Sequence, residues 1–382
     1  MYNRGTKYLE KGKYAKALAC FKREEHSFKE LYLNMGNCYR GLRDYEKARL
    51  CYLEANSDSI PSAAGKYGPY SLALNNLGMI AYGLGDDSAA MSFYKAALTI
   101  DPLHYDAIWN LGNAELRQTN CASGWDLYEY RFKRNSGAVT IEKYGIPWDG
   151  VTCGDSIVVL AEQGLGDKIM FSRYLKYLGE YFTEVYVQCH PSLDVFYSSY
   201  KIVRSASSSG ATYSIGICSL ASIFGVVNVD GWLDGKFEAH DFDGFNIGVV
   251  WAGSPTHVNN GNRSCPSSYF RDLTRYGNVY SLSPDAMAVK GITALNPRSW
   301  AETASYVLGL DVVVSVDTSI VHLCGTLGVP CIMVQPLLET DFRWGNGSAE
   351  NVWYDSVVVV SNPNSWDLTF AKVHKMLGQL NA

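Results

Sequence analysis

The chain has 382 residues, 47% of them hydrophobic, and a formal net charge of -5 at pH 7. That length exceeds a single hydrophobic core and predicts two or three domains, while the acidic balance argues against a nonspecific electrostatic hold on nucleic acid. Ten cysteines are scattered without a CxxC or a paired spacing, which argues against a disulfide scaffold or a zinc module and fits thiols kept reduced in the cytoplasm. The opening MYNRGTKYLEKGKY lacks the apolar core of a signal peptide, and no stretch has the length of a membrane span.

The first third repeats itself. Gly5, Tyr8, Ala17 and Phe21 recur as Gly36, Tyr39, Ala48 and Tyr52, then as Gly78, Ala81, Ala90 and Tyr94, with a shorter fourth copy at Gly112, Gly124 and Tyr128. The glycine anchors stand 31, 42 and 34 residues apart, the long interval holding the polar link SDSIPSAAGKYG. This pattern resembles the tetratricopeptide repeat, a helix-turn-helix unit in which small residues let two helices approach and aromatics fill the gap. The resemblance covers residues 1–134 and implies a helical solenoid. Its concave face would hold a protein partner or a second copy of the chain, or the stack would only buttress its neighbour. The run Lys7, Lys11, Lys13 and Lys16 reads as a solvated helix face.

From residue 155 the period changes. An apolar strand over 156–161 runs into the glycine-rich turn EQGLGD, and an amphipathic helix follows over 168–181. Strands over 185–188, 214–217 and 246–251 come next, then one over 279–282. Residues 312–316 form a valine-rich strand of the kind covered on both faces, Asp317, Thr318 and Ser319 supply N-cap chemistry for a helix over 320–327, and Gly328 and Pro330 end it. Strands over 331–334 and 356–360 and a helix over 366–380 complete the chain. The order predicts two doubly wound, Rossmann-like sheets, one in residues 135–244 and one in 245–382, facing a cleft, with the last helix available to pack back on the first.

The turns after strands carry the candidate chemistry. At residues 317–319 the first helical N–H groups lack internal partners and the helix dipole is positive, so a phosphate or diphosphate is a natural ligand. His322 lies one turn later on the face of Thr318, either as part of that site or as a satisfied histidine of a packed helix. Asp167 follows two glycines at the turn after the 156–161 strand. It could act as a general base at the cleft or simply cap its helix, and Gln163 and Glu162 share these two readings. Arg263, in the polar loop after Trp251-Ala252-Gly253-Ser254, has the guanidinium geometry that suits phosphate oxygens, or is a surface arginine. The Asp241-x-Asp243 pair falls in a linker, and no His/Cys cluster offers a metal site.

These segments reach a family. AEQGLGDKIMFSRYLKYL, GVVWAGSPTHVNNGNRS, DVVVSVDTSIVHLCGTLGVP and DFRWG, with the lead-in GWDLYEYRFKR and PWDG, resemble the tetratricopeptide-repeat-linked glycosyltransferases of the two-domain GT-B fold, similar to bacterial heptosyltransferases. The resemblance implies an inverting, metal-independent transfer of a sugar from a nucleotide diphosphate sugar, with no other cofactor, to a hydroxyl acceptor on a glycan, a protein or a modified nucleobase. It makes Asp167 the catalytic base, with Gln163, Gly164 and Gly166 on the acceptor side. Trp251, Ser254, Arg263, Asp317, Thr318, Ser319 and His322 fall on the donor side, and residues 281–284 and 300–303 are expected near the nucleoside. The chain departs from the family pattern at Phe342, where tryptophan is usual, at Asn260-Gly261, where an acidic residue is common, and at Asp355, where proline is usual. The competing reading is a repeat scaffold with a degenerate, non-catalytic sugar-nucleotide domain.

Overall fold

The computed structural model describes residues 1–57, 68–119, 121–134, 141–228, 231–233, 237–255, 257, 259–283, 289–335, 340–345, 352–361 and 365–381. Two compact units divide the chain, Met1–Ala138 and Val139–Ala382. The first is built from eight α-helices among the described residues: α1 (Tyr2–Glu10), α2 (Tyr14–Phe21), α3 (Lys29–Gly41), α4 (Tyr45–Ala55), α5 (Gly68–Gly83), α6 (Asp87–Ile100), α7 (Tyr105–Thr119) and α8 (Ala122–Tyr128).

The repeated glycines explain how these helices pair. A methyl group on Gly5 would come 2.5 Å from the Phe21 ring, and one on Gly36 or Gly78 would come within 3.0 Å of Tyr52 or Tyr94. Each glycine therefore receives the aromatic ring of the next helix, beside Ala17, Ala48 or Ala90, all fully buried. In the fourth copy a methyl group on Gly112 would instead come 2.9 Å from Leu127 Cβ and 3.0 Å from the Gly124 carbonyl oxygen. The turns repeat as well: Gly12, Arg43 and Gly85 all take positive φ just before the second helix, and Asp44 and Asp86 cap that helix by accepting from the N–H groups of Lys47 and Ala89. Much of the polar link between the second and third copies lies outside the described residues.

The second unit holds two parallel sheets. The first comprises β1 (Ile146–Pro147), β2 (Gly154–Leu160), β3 (Phe182–Gln188), β4 (Lys201–Val203) and β5 (Tyr213–Gly216), with α9 (Leu165–Phe171) after β2 and α10 (Leu220–Phe224) after β5. Its order is β1-β5-β2-β3-β4. The second comprises β6 (Asn246–Val250), β7 (Asn278–Ser281), β8 (Ile292–Ala294), β9 (Val312–Val316), β10 (Cys331–Val334) and β11 (Val357–Val360), in the order β11-β10-β9-β6-β7-β8. Its helices are α11 (Asn260–Arg263), α12 (Ser267–Arg271), α13 (Trp300–Gly309), α14 (Ser319–Leu327) and α15 (Trp366–Leu380). Every strand pair is parallel, and β9 is buried along its whole length, as a strand covered on both faces requires.

Strand order fixes one switch point in each sheet. In an open parallel sheet, the crevice lies where successive strands diverge to opposite sides. That point falls between β2 and β5 in the first sheet and between β6 and β9 in the second.

One expectation needs correction. The helix expected over 168–181 begins as α9 at Leu165 and tightens at Ser172 into a 3₁₀ stretch, Ser172–Glu180. Ser172 Oγ and Arg173 Nε donate back to the carbonyls of Ile169 and Met170, so side chains take acceptors that an α-helix would use. Phe370, Val373 and Leu377 of α15 join the core of the second sheet, with Ile247, Val312 and Val314.

Candidate active site

The turn after β2 brings Asp167 to the first sheet's switch point. Gln163 there has φ +63°, a left-handed conformation that a non-glycine residue adopts at some cost and that accumulates at functional turns. It turns the chain so that Gly164 caps α9, and the Gly164 N–H donates to Asp167 Oδ2 at 3.0 Å. The other carboxylate oxygen accepts from Arg343 Nη2. Asp167 thus caps its helix and also meets a residue of the second sheet. Burial pushes its pKa up, with the Asp341 and Glu162 carboxylates adding to the rise, against the pull of Arg343 and the Gly164 N–H.

The second switch point is built by the turns after β6 and β9. Thr318 caps α14, its Oγ1 accepting from the Ile320 N–H at 3.4 Å. Asp317 accepts from the Trp344 indole N–H at 2.9 Å. Burial, then Asp341, raises the Asp317 pKa to about 6, against the pull of Arg263, the Trp344 hydrogen bond and Arg343. The Arg263 guanidinium lies over Gly253, where a methyl group would come 2.5 Å from Nη2, and its Nε is buried without a hydrogen-bond partner. Arg343 Nη1 donates to Asp341 at 2.7 Å. Although burial opposes it, the Arg343 guanidinium with its hydrogen bonds holds the Asp341 pKa below the ordinary carboxylate value.

The helix starts of the two sheets are pressed together. A methyl group on Gly166 would lie 2.6 Å from His322 Cδ2 and 3.6 Å from Ser319 Cα, so glycine is required for this approach. His322 is 5% exposed. Its Nδ1 pairs with the Tyr354 hydroxyl at 2.9 Å, and its ring stacks on Trp344 at 5.0 Å. Burial, helped by Arg343, lowers its pKa to about 3, so the imidazole is neutral near pH 7. Behind it, Arg173 donates to the carbonyls of Val227 and Trp353 with its guanidinium 4.1 Å from the Trp232 ring centre.

The geometry thus gathers Asp167, Gly166, Asp317, Ser319 and His322, with Arg263 close enough to lower the Asp317 pKa. Other sequence candidates stand differently. Trp251 turns its ring toward the core, 6.2 Å from Phe270. Ser254 and Gln163 are exposed on their turns, and Gln163 donates to Glu162 only at 3.4 Å. Of the nucleoside-side guesses, Ser281 is buried in β7, Pro284 lies outside the described residues, and Trp300 packs on Phe196 of the first sheet's half at 5.9 Å. Asp241 and Asp243 sit in the linker before β6, and no group of three or more His, Cys, Asp and Glu residues among the described residues is arranged to hold a metal.

Sequence reasoning missed Arg343, Asp341, Trp344 and Tyr354 as site residues. The signal was the segment DFRWG, two arginine-flanking aromatics after a capping aspartate; nothing local says that its arginine reaches a carboxylate 176 residues earlier.

The tetratricopeptide repeat family matches residues 29–57 and 72–102. No curated protein matches the chain. Among solved structures, the second tetratricopeptide domain of human RPAP3, in complex with an HSP70 peptide, is 23% identical, with 30% of this chain and 90% of that one covered and a TM-score of 0.25. The bacterial iron-containing dodecameric glycosyltransferase TibC from enterotoxigenic E. coli is 11% identical over 57% of this chain and 67% of that one, with a TM-score of 0.45. The family 9 glycosyl transferase from Veillonella parvula is 11% identical over 59% and 90%, with a TM-score of 0.41. The chain is a tetratricopeptide-repeat region followed by α/β sheets of parallel strands.

Proposed function

We propose that this protein is an inverting glycosyltransferase that moves a sugar from a nucleotide diphosphate sugar to a hydroxyl acceptor without a metal. One observation carries the reading: a carboxylate at the switch point of the first sheet, Asp167, stands against the loops of the second sheet's switch point, where Asp317, Arg343 and the start of α14 meet. Asp167 takes the acceptor's hydroxyl proton while that oxygen attacks the anomeric carbon. The bond from that carbon to the diphosphate breaks, and the nucleoside diphosphate leaves with the electron pair. The first N–H groups of α14 and the Arg263 guanidinium stabilise the charge that grows on it. The helical repeats present the acceptor or a partner. The setting is cytoplasmic, in keeping with cysteines that are all unpaired; no helix among the described residues is long and apolar enough to cross a membrane.

The test is a thermal-shift screen against UDP, GDP, ADP, CMP and dTDP sugars, with and without chelator, because a ligand that binds only the folded state raises the melting temperature. A shift with one nucleotide that survives the chelator supports the donor site. No shift with any of them moves the weight to the repeat scaffold with a non-catalytic domain, and a shift lost on chelation removes the metal-free mechanism.

A further inference from the structure

We propose that Arg343 is a ligand of the donor diphosphate that is held by Asp167 until the donor arrives, so that donor binding is the event that releases the base. The inference rests on the donor site proposed above. Arg343 sits in the 3₁₀ turn Phe342–Trp344, which Asp341 caps by accepting from the Arg343 N–H at 3.0 Å. The turn is fastened to the start of α14 by the bond from Trp344 to Asp317, so its arginine stands beside the N–H groups that would take the phosphate. One edge of the guanidinium faces Asp341 and the other faces Asp167, with the Arg343 side chain 8% exposed and that of Asp167 19%.

The two partners differ in how firmly they are held. Asp341 belongs to the same turn and moves with Arg343. Asp167 belongs to the other sheet, and its second oxygen is retained by the Gly164 N–H whether or not Arg343 stays. The contact that can be exchanged is therefore the one between the sheets. A diphosphate presents several anionic oxygens to the guanidinium edge that meets the Asp167 carboxylate, and bidentate recognition favours the phosphate. With the guanidinium moved to the donor, Asp167 loses the cation that competes with a proton for its oxygen, which is what a base needs. Transfer is then ordered, donor before acceptor.

Inorganic pyrophosphate is the probe, titrated by calorimetry into the full-length protein and into Asp167→Asn, Arg343→Lys, Arg263→Gln and the double variant Asp167→Asn/Arg343→Lys. Asparagine keeps an oxygen for the Gly164 N–H and removes only the charge. Asp167→Asn should tighten pyrophosphate about fivefold, the scale of a partly exposed ion pair. Arg343→Lys should weaken binding, because an ammonium cannot make the two-pronged contact, and the gain from Asp167→Asn should shrink in the double variant. Removal of a nearby negative charge favours an anion by itself, so an arginine that only braced the fold would leave the Asp167→Asn gain undiminished in the double variant. If Arg263→Gln weakens binding while Asp167→Asn binds as the wild type does, the exchange is overturned and the donor site stands. If no variant binds pyrophosphate, both fall.

Discussion

Asp317→Asn should make the folded protein more stable, and the gain should grow with pH. The ordinary carboxylate value of 3.8 is raised to about 6 in the fold, first by burial and then by Asp341. A raised pKa means that the folded state binds the proton more tightly than the unfolded one. The protonated carboxyl therefore suits the fold, that advantage is fully present below about pH 4, and it is lost as the pH rises through 6. At 1.36 kcal/mol per unit, the ionised carboxylate costs the fold about 3 kcal/mol at pH 8. Asparagine removes the charge and keeps an oxygen to accept from the Trp344 indole, so most of that cost disappears. For a unit of this size, 1 kcal/mol shifts the melting temperature by about 2–4 °C. Differential scanning calorimetry of both proteins from pH 4 to 8 should show melting temperatures that coincide at the acid end and separate by about 6–12 °C at pH 8. A variant that melts below the wild type at pH 8, or a gap that does not widen between pH 4 and 6, would refute the assignment of a half-buried, poorly compensated carboxylate.

Asp167→Asn should retain nucleotide-sugar binding and lose about 10²–10⁴-fold in transfer rate, measured by product formation at saturating donor; turnover near the wild-type rate would remove Asp167 from the base role. Because its pKa is raised and the base must be ionised, the wild-type rate should fall on acidification at a higher pH than an ordinary carboxylate would give. Arg263→Ala should weaken nucleoside diphosphate binding by about 1.5–3 kcal/mol in calorimetry, and unchanged affinity would rule out that contact. In the repeats, Gly78→Ala should lower the stability of the first unit by about 1–3 kcal/mol through collision with Tyr94, whereas Gly179→Ala, with open space around it, should be nearly neutral in the same denaturation assay.

How much of this was legible depends on the range over which each feature is encoded. The valine run of β9 and the apolar β10 announce their own burial, and the glycine and aromatic of each repeat lie close enough in sequence for their period to be read without knowing that the ring covers the glycine. Strands β1, β4 and β8 have two or three residues, too few for an alternation to register, and they exist because a neighbouring strand offers a free edge. The apolar spacing of 168–181 identified a real face, since Tyr174, Leu175 and Leu178 are buried; what it could not show was the change of winding, set by where Ser172 and Arg173 find their acceptors.

The site is harder to read because its halves are written separately. Each switch-point turn is a local pattern, whereas the contacts joining them, Arg343 to Asp167 and Gly166 to His322, depend on how the two sheets face each other. Once they face, the charges constrain the chemistry. Asp167, Asp317 and Asp341 outnumber Arg263 and Arg343 where a diphosphate is proposed to bind, and Glu162 adds a further carboxylate beside Asp167. Burial already raises the pKa of Asp167 and of Asp317, so the site holds its anions at a cost before any ligand arrives. An incoming diphosphate adds to that cost unless a cation changes partner or a carboxyl takes a proton. Arg343, fixed to Asp341 on its own turn and to Asp167 across the sheets, is the cation placed to change partner, and Asp317, with a pKa of about 6, is the carboxyl best placed to take a proton near neutral pH.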